Sequence, residues 1–318
     1  MTYKMIEFHE PCFLDFFRLF RLFRLFRHLV FKRMKRSIFA VISILAVSFA
    51  LIGARQVQSS RSILTRPVPP ADQKIAYGRD PNQFGELRLP KGSGKFPVVV
   101  IVHGGCWMAE YGLGYMSHLA ADLTDAGFAT WNIEYRRVGN SGGAWPGTFQ
   151  DVGMATDYLR TLAKKYPLDL NRVAALGHSA GGQLVIWLGA RSKFPKDSPV
   201  WSADPLKLRA IVPIAAITDL RKTGTACDES LSMLISNGPK DKVSPVEMAP
   251  LGIRQLIVSG EDDKIVPPSM ARDYYDIAVK KGDLVKLLII PKAGHFEPVD
   301  PKTSAWQQVR EGLLGLMK

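Results

Sequence analysis

A serine stands at the apex of Gly177-His178-Ser179-Ala180-Gly181, between the apolar run Arg172–Leu176 and an apolar stretch opening at Gln183. Small residues on either side let a strand turn sharply into a helix and expose a hydroxyl at the bend. Such a serine suits attack on a carbonyl carbon, but its hydroxyl needs a base within hydrogen-bond reach. Further on, Gln255–Ser259 is followed by Gly260-Glu261-Asp262-Asp263, and Val285–Pro291 is followed by His295. Upstream, Pro97–Val102 runs into His103-Gly104-Gly105-Cys106-Trp107, a loop suited to aiming backbone N–H groups at a developing oxyanion. The parts of acyl transfer therefore occur in the order serine, acid, histidine. Ser179 is the expected nucleophile and His295 the expected base. The N–H groups of Gly105, Cys106 and Ala180 are the expected oxyanion hole. His103 and His178 read as structural neighbours of these motifs, and His118 as a residue of a helix surface.

These groups come together only if each follows a strand of one sheet. Buried strands are expected near 97–102, 129–135, 172–177, 208–214, 255–259 and 285–290. Helices are expected near 113–126, 148–165, 180–190, 267–281 and 303–316. Thr148 with Asp151 three residues on resembles a helix start. Gln73–Tyr77 and Gly85–Leu89 flank Asp80-Pro81-Asn82 and read as an antiparallel pair. Strands alternating with helices imply an α/β fold, a mostly parallel central sheet with helices on both faces. Residues 218–249 break the alternation and read as a small lid.

The chain has 318 residues, 47% of them hydrophobic, and a formal net charge of +13. Residues 1–66 hold 12 Lys/Arg against 3 Asp/Glu, and the rest of the chain 30 against 26. The body is thus only mildly basic, and no basic stripe with interleaved aromatics points to nucleic acid. Met34-Lys35-Arg36 precedes an apolar run from Ile38 to Gly53. That pattern reads as a signal peptide for export, secreted or periplasmic, with an uncleaved membrane anchor as the alternative. Residues 1–33, with arginine at every third position over Arg18–Arg27, read as an N-terminal extension upstream of the true start. Residues 55–72 read as a linker and 73–318 as the catalytic domain. Of three cysteines, Cys12 lies in the extension. Cys106 and Cys227 both fall after strand ends and, in an oxidising compartment, are expected to pair; two reduced thiols are the alternative. No cysteine or histidine cluster suggests a metal, and no cofactor is implied.

His103-Gly104-Gly105-Cys106-Trp107, Glu134-Tyr135-Arg136-Arg137, Trp145-Pro146-Gly147-Thr148-Phe149, Gly177-His178-Ser179-Ala180-Gly181-Gly182 and Gly260-Glu261-Asp262-Asp263 with Val266-Pro267 resemble the α/β-hydrolases. The resemblance is to the acetyl-esterase/lipase and kynurenine-formamidase-like (feruloyl-esterase-like) branch, over about residues 73–317. It implies a serine hydrolase acting on a small-molecule carboxylic ester of short acyl chain, through a Ser-His-Asp triad and an acyl-enzyme. An amide or formamide substrate is the alternative on the same residues, and a non-catalytic binding module is the alternative of another class. By the spacing of those relatives, Asp263 rather than Glu261 or Asp262 orients His295. Trp107, Tyr111, Trp145 and Phe296 are expected near strand tips, as pocket lining or as packing. Arg136 and Arg137 read either as anchors for an acidic substrate group or as members of structural ion pairs.

Overall fold

Period-two burial organises the centre of the molecule. In the computed structural model, β3 (Phe96–Val102) sends Val98, Val100 and Val102 into one apolar cluster and Val99 and Ile101 into another. Successive side chains of a strand point to opposite faces, so an unbroken apolar run needs cover on both sides. The structure describes residues 62–222, 224–236, 238–239 and 243–318. The arginine repeat, Cys12 and the apolar run 38–53 lie outside the described residues. The elements below fall within one compact unit, Ser59–Lys318.

Among the described residues eight strands form one sheet: β1 (Gln73–Ala76), β2 (Phe84–Arg88), β3, β4 (Ala129–Ile133), β5 (Leu168–His178), β6 (Ala210–Ile214), β7 (Arg254–Gly260) and β8 (Val285–Ile290). Their order is β1-β2-β4-β3-β5-β6-β7-β8. The β1–β2 and β2–β4 pairs are antiparallel; every other pair is parallel. Two helices, α1 (Ser117–Asp125) and the C-terminal Ser304–Met317, pack Leu119, Leu123, Trp306, Val309 and Leu313 on the Val99 face. The helices α2 (Gly147–Asp157), its short continuation α3 (Leu159–Leu162), α4 (Ala180–Ala190) and Pro268–Lys280 cover the Val100 face with Phe149, Leu184, Trp187 and Tyr274. Between β6 and β7 the chain forms α5 (Asp228–Leu234) and α6 (Pro245–Met248). The C-terminal stretches 268–280 and 304–317 are α7 and α8.

Strand order reverses beside β3, which pairs with β4 on one side and β5 on the other. Crevices in open parallel sheets form at the carboxyl ends of strands around such a reversal. β3 ends one residue before His103, β5 one before Ser179, β7 three before Asp263 and β8 five before His295. The expected chemistry-bearing residues thus share one edge of the sheet.

One local expectation is corrected. α2 does not begin with a Thr148–Asp151 cap, for its N-cap is Pro146 and no side chain caps it. Thr148 Oγ1 donates to the Arg136 carbonyl at 2.6 Å. Asp151, fully buried, accepts from Nε and Nη2 of Arg136 at 2.8 and 2.7 Å, and from Gln83 Nε2 at 2.7 Å. A cap satisfies its own helix, but these two side chains tether α2 to the loop after β4 instead.

Candidate active site

Ser179 sits between β5 and α4 with φ 55° and ψ −120°, a conformation rarely taken by a residue with a side chain. The surroundings enforce it. Its N–H donates to the Ile214 carbonyl at 2.8 Å, while its own carbonyl accepts from Gly182 and Gln183. Glycine is required on both sides for lack of room. A Cβ at Gly177 would stand under 3.0 Å from the Gly181 backbone, and one at Gly181 equally close to the carbonyls of Val102 and His103. Ser179 is 3% exposed.

His295 lies on the loop after β8. Its Nδ1 is 2.7 Å from Asp263 Oδ2, and both side chains are buried. The other carboxylate oxygen, Oδ1, accepts from the N–H groups of Ile265 and Val266 at 2.8 and 2.9 Å. These bonds fix the acid while it holds the ring, leaving Nε2 as the nitrogen able to exchange a proton. Glu261 and Asp262 are exposed, and neither touches His295. Of the three acids, Asp263 alone meets the histidine.

The loop after β3 is bent sharply. Gly105, Cys106 and Trp107 all have positive φ, at 101°, 50° and 56°. None of the hydrogen bonds among the described residues takes up the N–H of Gly105 or Cys106, and Ala180 opens α4, where a helix leaves its N–H groups unpaired. A disulfide joins Cys106 to Cys227, with Cα atoms 5.1 Å apart. Cys227 is the N-cap residue of α5. The bridge ties the helix between β6 and β7 to the loop after β3. At the far end of α5, the Leu234 carbonyl accepts from Trp145 N–H at 2.8 Å.

Tyr115 is not singled out by its sequence context, and His178, read as a structural neighbour of the serine motif, is one: both join the loops around Ser179. Tyr115 hydroxyl accepts from Gly104 N–H at 2.8 Å and is 2.8 Å from His178 Nδ1. His178 Nε2 is 2.9 Å from the His295 carbonyl oxygen. The rings of His178 and His295 stand 4.5 Å apart, centroid to centroid. Burial, and then the nearby His295, hold the His178 imidazole well below its ordinary pKa, so it is neutral. Burial pushes the Tyr115 hydroxyl far above its ordinary range. No local signal marks Tyr115. His178 is visible only as the second letter of the serine motif.

The four aromatics part company. Phe296 packs beside His295, its ring centroid 5.1 Å from that of His295 and 5.5 Å from that of His178. Tyr111 is exposed and lies against Gly105, and Trp145 is half-buried against Phe149 at 5.2 Å. Trp107 is 0% exposed, so it packs the core rather than lining a pocket. Both arginines are committed to structure. Arg136 forks onto Asp151, and Arg137 pairs with Glu134 at 3.0 Å and with the Tyr111 carbonyl. Glu134 also meets His103 Nε2 at 2.8 Å. Burial would raise the Glu134 carboxyl pKa, but His103 and Arg137 together hold it below the usual range.

Residues 86–276 match the model of the BD-FAE family. The chain is 25% identical over 249 residues to the esterase LipC of Mycobacterium tuberculosis, covering 72% of this chain and 60% of that one. It is 24% identical over 196 residues to the probable carboxylic ester hydrolase LipM of the same organism, covering 58% and 45%. It thus spans about half to three-fifths of the length of the curated relatives it matches. Among solved structures it is similar to a truncated carbohydrate esterase from gut microbiota, with TM-score 0.68, 20% identity, and 79% and 97% of the two chains covered. It is likewise similar to a Thermogutta terrifontis esterase, Est2 with propionate bound, with TM-score 0.66, 19% identity, and 80% and 95% covered. The architecture is that of the α/β-hydrolases.

Proposed function

The chain belongs to the BD-FAE family, and from that membership and the geometry at the sheet edge we propose that it hydrolyses a carboxylic ester of short acyl chain. The observation that carries the reading is the buried 2.7 Å bond between His295 Nδ1 and Asp263, on the same edge as a serine in a strained turn. Ser179 Oγ attacks the ester carbonyl carbon while His295 Nε2 takes its proton. The oxyanion is held by the N–H groups of Ala180, Gly105 and Cys106, each such donor being worth roughly 3 kcal/mol. Collapse releases the alcohol, which leaves with the proton from His295. Water then attacks the acyl-enzyme by the reverse route. The names of LipC, LipM and the esterase structures support an ester as substrate.

An exported location fits the same reading. A basic cluster precedes an apolar run near the N-terminus, and a disulfide persists best in an oxidising compartment.

The test is a substrate panel on the purified protein: p-nitrophenyl esters of rising chain length, an N-formyl aryl amine and aminoacyl amides. The acetyl or propionyl ester should turn over fastest, and Ser179→Ala should abolish that turnover. Preference for the formamide or an amide would replace the ester reading. No turnover of any substrate would point to a binding module.

A further inference from the structure

Tyr115 belongs to the 3-10 turn Leu113–Met116, outside every motif that marks the site. Its hydroxyl nevertheless touches two of the loops that would carry the chemistry, and His178 reaches the third. A carbonyl oxygen can only accept a hydrogen bond, so the 2.9 Å contact with His295 requires the hydrogen of His178 on Nε2. His178 is neutral, so Nδ1 keeps its lone pair and takes the hydrogen of Tyr115 at 2.8 Å. The Tyr115 oxygen in turn accepts from Gly104 N–H at 2.8 Å. All three bonds therefore run one way, from Gly104 through Tyr115 and His178 to the backbone of His295. Gly104 adjoins an expected oxyanion donor, His178 adjoins the nucleophile, and His295 is the base.

We propose that Tyr115 and His178 are positioning residues for the reaction, a relay of fixed polarity that keeps the oxyanion loop, the nucleophile and the base-bearing loop in mutual register. The kinetic consequence rests on the ester-hydrolase reading; the geometry of the relay does not. The relay touches no substrate. It acts by setting where the backbone of Gly104 and His295 lies relative to Ser179, and small displacements at a reacting centre are costly. Removing the Tyr115 hydroxyl strands two buried partners at once, a donor and an acceptor. The ring itself would still pack against Phe296, 6.3 Å away between centroids.

The test uses the full-length protein with p-nitrophenyl acetate. Tyr115→Phe should lower kcat about tenfold while KM moves by less than about twofold, the pattern of a loss felt in the transition state. His178→Gln keeps a donor facing His295, so it should retain several times the kcat of His178→Leu. Nitrogen-15 spectra of the wild-type protein near neutral pH should show His178 as the Nε2–H tautomer, and Gly104 amide exchange should quicken in Tyr115→Phe. A folded Tyr115→Phe with wild-type kcat, equal rates for His178→Gln and His178→Leu, or an Nδ1–H or cationic His178 would each overturn the relay. Should Tyr115→Phe not fold, the two His178 variants and the tautomer decide. If the wild-type protein cleaves no ester, the functional reading falls, and the tautomer and the Gly104 exchange still judge the relay.

Discussion

The Asp263 carboxylate takes three hydrogen bonds, from His295 Nδ1 and from two backbone N–H groups, while Asp262 faces solvent. Asp263→Asn offers a donor where the ring also donates, so the imidazole turns to the wrong tautomer. A loss of about four orders of magnitude in kcat is expected. Asp262→Asn should leave kcat within a factor of about two, as exposed substitutions usually do. Esterase assays on the two variants check the contrast. His178 makes a second prediction, about stability. In the unfolded chain it binds a proton below about pH 6.5, whereas the folded protein resists that proton until well below this value. Its contribution is therefore complete above that pH and is lost as pH falls toward the folded value. Urea midpoints should decline across this acid window, and His178→Gln should remove part of the slope. At this scale the sequence speaks through short spacings. Ser179, Asp263 and His295 each follow an apolar run and a glycine, so they can be read in place. Tyr115 cannot, because its partners lie 11 and 63 residues away. The preference for Asp263 over Asp262 comes from family spacing, and the burial of Asp263 against His295 is the physical counterpart of that spacing.

Elements are legible where burial and periodicity agree. The helix after the serine spans 180–190 as expected, since nearly every residue is apolar or small and it begins at a forced turn. The strand before it runs from Leu168, several residues earlier than its apolar stretch suggests, because Phe96 and Pro97 pair with Leu168 and Asp169 across a register shift. The start of α2 is misleading for a different reason. Thr148 and Asp151 have the spacing of a cap, but Arg136 from a distant loop competes for both and wins. Propensity patterns carry no information on such a partner. Asp151 is fully buried and Arg136 partly exposed, so removing the acid strands a cation that water can still reach in part. Asp151→Ala should thus cost about 3 kcal/mol, the low end for breaking a buried pair. Chemical denaturation would measure it. A loss below about 1 kcal/mol would mean that the pair behaves like a surface bridge.

For the molecule as a whole, the disulfide is the one long-range covalent contact seen among the described residues, with a sequence separation of 121. Its pairing is open in the sequence, where parity and strand-end placement allow it without requiring it. Closing so long a loop restricts the unfolded chain by roughly 4–5 kcal/mol in the entropic model. Cys227→Ser, or reduction before unfolding, should lower the denaturation midpoint accordingly, and an unchanged midpoint would count against that account. The bridge also divides the chain topologically. Residues 106–227 form a closed ring that contains β4, β5 and β6 and Ser179, whereas Asp263 and His295 hang on the open tail beyond it. A protease that cuts once inside this ring leaves a single covalent molecule, its two pieces still joined through sulfur. One cut between Cys227 and Asp263 frees Asp263 and His295 together from Ser179. Nicked protein run on gels with and without reductant would tell the two cuts apart, the first migrating as one species until the bridge is opened.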